Sequence, residues 1–271
     1  MGTIDVNGTT LHYERSGGGP AMLFVHGMCG DADAWADQAA RFADRFTCVR
    51  YDRRGHSRSS WGDAPMSDAL HADDAAALIE ALRLAPCLIV GSSGGARIAV
   101  DVARRHGHLL RGAVMSEPPL FCIDPDAGRA FASELIPLVE EGTAAGGPSG
   151  WVDAFFSFVC PGLWSSIDEA RKDRYRANAD VGLTDLQSPA LDVTSAELSA
   201  VSVPTLVLAG ADTHATFGSI AHRLAAALPD SRLVEIEGSG HVTYAERPDD
   251  FAAAVSAFAA ELARRSEHSP T

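Results

Sequence analysis

The sequence predicts an α/β fold in which helices flank a central, mostly parallel β-sheet. Continuous apolar runs, such as residues 21–26 and 46–51, are typical of strands that are buried on both faces. Segments with helical periodicity alternate with these runs, as they do in proteins built from β-α-β units. The alternation stops between residues 118 and 201, where the pattern favours helices only, so we expect a helical insertion there.

The predicted elements follow one another in a simple order. The first strand is predicted at residues 9–15, where apolar and polar side chains alternate. Further strands are predicted at residues 21–26, 46–51, 87–91, 111–116, 203–209 and 232–236. Helices are predicted at residues 67–84, 94–106, 217–228 and 249–264, and within the insertion at 128–141, 150–159 and 166–179. We therefore expect a core built from residues 1–119 and 202–271, and a helical cap at residues 120–201.

The amino-acid composition limits the partners and the compartment that we expect for this protein. Apolar residues make up 46% of the 271 residues, enough for a large core, and the formal net charge is −14. A strongly acidic chain binds nucleic acids and anionic membranes poorly, so we expect neither partner. The five cysteines are widely spaced without a C-x-x-C pair, and the first residues resemble no secretory signal. Both observations predict a cytoplasmic protein.

The fourth predicted strand leads into the strongest functional motif, the turn Gly91-x-Ser93-x-Gly95 before a predicted helix. Small residues two positions before and after the turning serine leave room for a crowded backbone, and the hydroxyl then stands at the edge of the sheet. Because Ser92 lacks this spacing, Ser93 is the candidate nucleophile. A nucleotide-binding turn with Glu117 as its ribose-binding acid is the alternative, although these glycines do not fit G-x-G-x-x-G.

A serine nucleophile needs a base and donors for the oxyanion that develops during the reaction. His241 is the best candidate base among the ten histidines, because it lies in a glycine-rich turn after the last predicted strand. The candidate oxyanion donors are the backbone N–H groups of Gly94, which follows the serine, and Met28, which follows the second predicted strand. The pair His106-x-His108 is too isolated for a metal site, and we expect no metal.

Four motifs together resemble the α/β-hydrolase superfamily. They are Val25-His26-Gly27, Tyr51-Asp52-Arg53-Arg54-Gly55-His56-Ser57-Arg58-Ser59, Gly91-x-Ser93-x-Gly95 and Gly240-His241, in that order and spacing over nearly the whole chain. The resemblance implies the α/β-hydrolase fold, a helical cap inserted after the sixth core strand, and no cofactor. In this family the loop that carries Arg53, Arg54 and His56 is mostly structural; contact with an anionic substrate is the alternative.

The resemblance leaves two candidates for the acid that orients the histidine. Many family members carry an aspartate three residues after the glycine that ends the seventh strand. Here the third residue after Gly210 is Thr213, and Asp212 comes one position early. Glu117 follows the predicted strand at residues 111–116, which corresponds to the sixth strand of the family, and matches the position used by haloalkane dehalogenases and zearalenone-type lactone hydrolases. Two prolines follow Glu117 and fix its backbone, so we favour Glu117 and keep Asp212 as the alternative.

These residues predict a cofactor-independent serine hydrolase that cleaves a carboxylic ester or lactone of a small apolar molecule through an acyl-enzyme. Among the aromatic residues of the expected cap, some should pack the cap helices and a few should line an apolar pocket, and the sequence leaves open which do; they are Phe121, Trp151, Phe155, Phe156, Phe158 and Trp164. Three alternatives stay open: a C–C bond hydrolase of vinylogous diketones, a perhydrolase or metal-free haloperoxidase, and a non-catalytic small-molecule receptor. The sequence leaves the oligomeric state open, a homodimer included.

Overall fold

A computed structural model describes residues 1–267, and eight strands in this range form one sheet. The strands are β1 (Gly2–Val6), β2 (Thr9–Ser16), β3 (Ala21–Val25), β4 (Thr47–Tyr51), β5 (Cys87–Ser92), β6 (Leu110–Ser116), β7 (Thr205–Gly210) and β8 (Ser231–Ile236). Their order across the sheet is β1-β2-β4-β3-β5-β6-β7-β8. β2 pairs antiparallel with β1 and β4, and every other pairing is parallel. The predicted mostly parallel sheet is thus confirmed.

Helices cover the sheet and form the insertion. In chain order they are α1 (Ala36–Phe42), α2 (Asp68–Ala81), α3 (Gly94–Arg105), α4 (Pro125–Val159), α5 (Pro161–Ser166), α6 (Glu169–Ala177), α7 (Ala179–Gln187), α8 (Ser195–Ser199), α9 (Ala215–Ala227), α10 (Thr243–Glu246) and α11 (Pro248–Glu267). No helix within residues 1–267 is long and apolar enough to cross a bilayer.

Alternate side chains of the central strands enter two hydrophobic cores, one on each face of the sheet. In β3, Leu23 and Val25 pack with residues of α2, α3 and α9. The intervening Met22 and Phe24 pack on the other face, with residues of α1 and α11. Because both faces of these strands are covered by helices, their sequences read as unbroken apolar runs rather than as an alternation.

The helical insertion lies between β6 and β7, where the sequence predicts it. Its apolar cluster includes Phe131, Trp151 and Trp164, together with Cys29 and Phe217 from loops and helices that follow β3 and β7. The insertion therefore covers the carboxyl edge of the parallel strands, where ligands bind in open α/β sheets. The division into a core and a cap at residues 120–201 stays a prediction.

The sequence missed several short elements. β1 is an edge strand with polar, exposed positions, and α1 has only seven residues, so neither shows a long periodic pattern. The helices predicted at 128–141 and 150–159 belong to the single element α4, which breaks at Gly147, where φ is +63°. In the insertion, α5, α7 and α8 have between five and nine residues each and were not predicted.

Candidate active site

The candidate nucleophile lies at the sharp turn between β5 and α3. Ser93 has φ +54° and ψ −125°, a strained conformation for any residue other than glycine. A Cβ on Gly91 would overlap the backbone of Gly95, and a Cβ on Gly95 would overlap the carbonyl of Val25. Close backbone packing therefore requires both glycines of the motif, and it holds the serine in its strained turn.

Glu117 and His241 meet at the carboxyl edge of the sheet. Nδ1 of His241 donates a hydrogen bond of 3.0 Å to Oε2 of Glu117, and both side chains are buried. This bond assigns the ring proton to Nδ1 and leaves a lone pair on Nε2. Nε2 is buried without a hydrogen-bond partner among residues 1–267, and His241 lines the same cavities as Ser93. The ring is therefore placed to accept a proton from a group in these cavities.

Two further donors hold the Glu117 carboxylate. The backbone N–H of Gly210 donates to Oε1 over 2.7 Å, and the hydroxyl of Thr213 donates to Oε2 over 2.7 Å. Thr213 stands where, by the resemblance described above, an aspartate is common. Here its hydroxyl instead supports the carboxylate of Glu117, which follows the neighbouring strand β6. The structure brings Glu117, and not the exposed Asp212, to His241.

The backbone N–H groups of Met28 and Gly94 lie beside each other. A Cβ built on Gly94 would be 3.8 Å from the Met28 nitrogen, and both residues line one cavity with Ser93. Within residues 1–267 neither N–H donates to a protein acceptor. Gly94 also begins α3, so the positive end of the helix dipole adds to the pair. These two groups can receive a negatively charged oxygen.

Asn178 of the insertion holds the loop that carries Met28. The side-chain amide of Asn178 donates to the carbonyls of Cys29 and Gly30, over 3.0 and 3.1 Å. Its oxygen accepts from the backbone N–H of Ser57 over 2.8 Å. The position of the Met28 N–H therefore depends on a residue of the insertion that no sequence motif marked.

A second carboxylate–histidine cluster lies between the core and the insertion. Asp185 of α7 accepts from Nε2 of His71 over 3.0 Å and pairs with Nη2 of Arg53 over 2.9 Å. Nη2 of Arg53 also lies 3.1 Å from Nε2 of His56. Burial lowers the pKa of His56 to about 3 and, together with the Arg53 charge, lowers the pKa of His71. The cluster consists of one ion pair and two neutral histidines, and it lines neither cavity at Ser93.

Two cavities meet at Ser93 and His241. The larger cavity has a volume of about 610 Å³ and is lined mainly by apolar side chains of α4. The smaller cavity has a volume of about 40 Å³ and lies among α4, α5, α6 and the turn after β3. Of the six aromatic residues of the expected cap, Phe121, Phe155, Phe156 and Trp164 line these cavities. Trp151 and Phe158 pack within the insertion instead.

Residues 22–254 match the model of the alpha/beta hydrolase family. The chain belongs to the α/β-hydrolase family. This membership and the predicted fold class are confirmed, and the chain is a hydrolase by family. Within the described residues 1–267, no group of three or more His, Cys, Asp or Glu side chains could hold a metal ion.

Individual proteins resemble this chain over different lengths. The 2-(acetamidomethylene)succinate hydrolase of Mesorhizobium japonicum is 26% identical over 94% of this chain and 93% of its own length. The uncharacterized hydrolase YraK of Bacillus subtilis is 40% identical, but the match spans only 44% of this chain and 45% of that protein. A thermophilic esterase structure from Thermogutta terrifontis superposes with a TM-score of 0.77 at 23% identity, covering 96% of this chain and 97% of that one.

Proposed function

We propose that this protein is a cofactor-independent serine hydrolase that cleaves a carboxylic ester or lactone of a small, largely apolar molecule. The observation that carries the proposal is the buried Nε2 of His241, which has no partner within residues 1–267 while Nδ1 is held by Glu117. A histidine held in this way is a base aimed into a cavity, and Ser93 lines that cavity.

The proposed reaction begins when the Ser93 hydroxyl attacks the substrate carbonyl and its proton passes to Nε2 of His241. The carbonyl oxygen becomes negatively charged and accepts hydrogen bonds from the N–H groups of Met28 and Gly94. The tetrahedral intermediate then releases the alcohol, which takes the proton from His241. A water molecule repeats the sequence on the acyl-enzyme, and His241 first removes and then returns a proton.

Glu117 is the proposed orienting acid. Its carboxylate fixes the histidine tautomer and stabilises the imidazolium that forms during each step. The Gly210 and Thr213 donors restrict Glu117 to one orientation, which keeps the imidazole ring in place beside the cavities that Ser93 also lines. Asp212 takes no part in this proposal.

The apolar lining of the larger cavity supports an ester or lactone substrate. Its wall includes Phe131, Leu135 and Val139, so burial of an alkyl or aryl group would contribute most of the binding free energy. A peptide or sugar would bring many polar groups that this wall does not hydrogen-bond, at a cost for each.

Hydrolysis of short- and medium-chain p-nitrophenyl esters by the wild type, Ser93→Ala and Ser92→Ala tests the proposal. We expect turnover by the wild type, loss of turnover in Ser93→Ala, and retained turnover in the matched Ser92→Ala control. A Ser93→Ala variant that remains active would refute the nucleophile assignment. A folded wild type that cleaves no ester, but binds a small apolar molecule unchanged, would favour the receptor alternative. Hydrogen peroxide with acetate tests the perhydrolase alternative, and a vinylogous diketone tests C–C cleavage.

A further inference from the structure

Within residues 1–267, one positively charged side chain of the helical insertion lacks the carboxylate partner that the others have. Arg171, on α6, is half-buried, and its guanidinium has no hydrogen-bond or ion-pair partner within residues 1–267. The remaining Lys and Arg residues of the insertion each pair with a carboxylate: Arg129 with Asp126, Lys172 with Glu169, Arg174 with Asp33, and Arg176 with Asp153.

Arg171 lines the smaller cavity together with Ser93 and His241. None of the residues that line this cavity, all within the described chain, is an aspartate or a glutamate. The Tyr175 and Tyr244 hydroxyls at its wall are buried, which raises both pKa values, and the Arg171 charge opposes the rise in each. The charge of Arg171 therefore acts inside the cavity; no carboxylate of the described chain lies in the cavity wall, although Asp31, outside the lining, opposes Arg171 at the Tyr175 hydroxyl.

The sizes of the two cavities indicate which half of an ester each cavity would hold. At roughly 10–15 Å³ for each water-sized group, the smaller cavity of about 40 Å³ holds about three such groups. The larger cavity opens to solvent beside Ile136 and Leu186, which are 52% and 46% exposed. The alcohol must leave before the acyl-enzyme is hydrolysed, so the open cavity suits the alcohol and the smaller cavity suits a short acyl group.

We propose that the acyl group carries a terminal carboxylate, which pairs with Arg171 of the smaller cavity's wall. The substrate class is then a half-ester of a short dicarboxylic acid with an apolar alcohol. This inference rests on the proposed serine hydrolase function. A guanidinium recognises a carboxylate with two parallel N–H donors, and charge-assisted hydrogen bonds of this kind are about twice as strong as neutral ones.

Two esters of equal shape test the proposal. Monobenzyl succinate carries the carboxylate, and benzyl 4-methylpentanoate replaces it with an isopropyl group. We expect the wild type to cleave the succinate with the higher kcat/KM, measured as released benzyl alcohol. Arg171→Met should lower kcat/KM for the succinate by roughly 10- to 100-fold, the range of a hydrogen bond to a charged group, and leave the neutral ester nearly unchanged. Arg171→Lys should restore part of the lost kcat/KM for the succinate, since lysine keeps the positive charge but lacks the two parallel N–H donors of the guanidinium.

The matched control is Arg174→Met, which removes an arginine of the same helix that pairs with Asp33 outside the cavity. It should leave the ratio of the two kcat/KM values unchanged. Equal effects of Arg171→Met on both esters, or a wild type that prefers the neutral ester, would overturn the proposal. So would cleavage of p-nitrophenyl acetate with neither benzyl ester accepted. The wild type and Ser93→Ala are also compared on p-nitrophenyl acetate, which carries no carboxylate. This comparison tests the hydrolase function independently of the role of Arg171.

Discussion

Within residues 1–267, two buried histidines are each hydrogen-bonded to a buried carboxylate, and the surroundings of these two pairs differ. In the first pair, Glu117 holds one nitrogen of His241, and the other nitrogen faces a cavity without a partner within residues 1–267. In the second pair, Asp185 holds His71, but Arg53 also neutralises the carboxylate. The same residue types therefore serve a proposed proton transfer in one place and attach the insertion to the core in the other. Within residues 1–267 His71 also has a buried ring nitrogen, Nδ1, without a partner, so the difference lies in the cavity beside His241 and in the Arg53 ion pair beside His71.

The comparison predicts its largest effect for Glu117→Gln. The amide can no longer stabilise an imidazolium, so kcat should fall by about 10³- to 10⁴-fold, as expected when a triad acid loses its charge. The Asp212→Asn control should keep full activity, since Asp212 does not contact the histidine. Steady-state kinetics on p-nitrophenyl acetate, with circular dichroism to establish folding, measure both. If Asp212→Asn is the more damaging change, the acid assignment is wrong.

A substitution in the second pair should lower the free energy of unfolding rather than kcat. Asp185→Asn leaves the buried Arg53 charge without its carboxylate, and breaking such a pair costs about 3–5 kcal/mol. Urea unfolding monitored by tryptophan fluorescence measures this loss. The remaining folded protein should retain most of its kcat. A variant that keeps its unfolding free energy but loses kcat would make the second pair part of the catalytic machinery.

Acid should act mainly through three buried histidines, His56 and His71 of the second cluster and His26, whose ring lies against that of His56. Burial lowers the pKa of His56 to about 3 and lowers the pKa values of His26 and His71. These rings stay neutral in the folded chain and take up protons in the unfolded chain, so their stabilising effect is present above about pH 6.5 and is lost as pH falls. Each ring can contribute up to about 1.4 kcal/mol per pH unit below that value. Urea unfolding at pH 7 and pH 5 tests this, and equal free energies of unfolding would contradict it.

The smallest effect concerns Thr213, which donates to the carboxylate of the first pair. Thr213→Val removes this donor without changing the shape, and the loss of one hydrogen bond to a charged group corresponds to a fall in kcat of roughly 10-fold or more. KM should change little, because Thr213 lines neither cavity at Ser93. Thr213→Ser should restore kcat, since it keeps the hydroxyl. A fall in stability alone, with kcat intact, would assign Thr213 a purely structural role.

Much of the fold could be predicted because both faces of the central strands are buried. β3, β4, β5, β6 and β7 appear in the sequence as apolar runs, and the helices between them have long periodic patterns. β1 and α1 could not be predicted, because an edge strand and a seven-residue helix depend on packing rather than on local pattern. The insertion was placed correctly, but its short helices depend on contacts with the carboxyl edge of the sheet.

Only part of the candidate site could be predicted from the sequence. Ser93 and His241 lie in motifs with local causes, a strained turn and a glycine-rich loop after a strand. The support of Glu117 by Thr213 joins residues 96 positions apart, and the bonds from Asn178 to the Met28 loop join residues up to 149 apart. Such pairings follow from the approach of neighbouring strands and of the insertion, which no local pattern encodes. Arg171 was missed for the same reason, because only the structure shows which arginines lack an acid.

Covalent labelling of Ser93 tests the central claim most directly. The wild type is treated with diethyl p-nitrophenyl phosphate, which phosphorylates an activated serine and releases p-nitrophenol, and the labelled residue is located by peptide mass spectrometry. We expect one diethylphosphoryl group on Ser93, slow labelling in His241→Ala, and loss of p-nitrophenyl acetate hydrolysis in proportion to the label. Ester hydrolysis that continues in fully labelled protein, or a label on another residue that alone abolishes activity, would contradict the account.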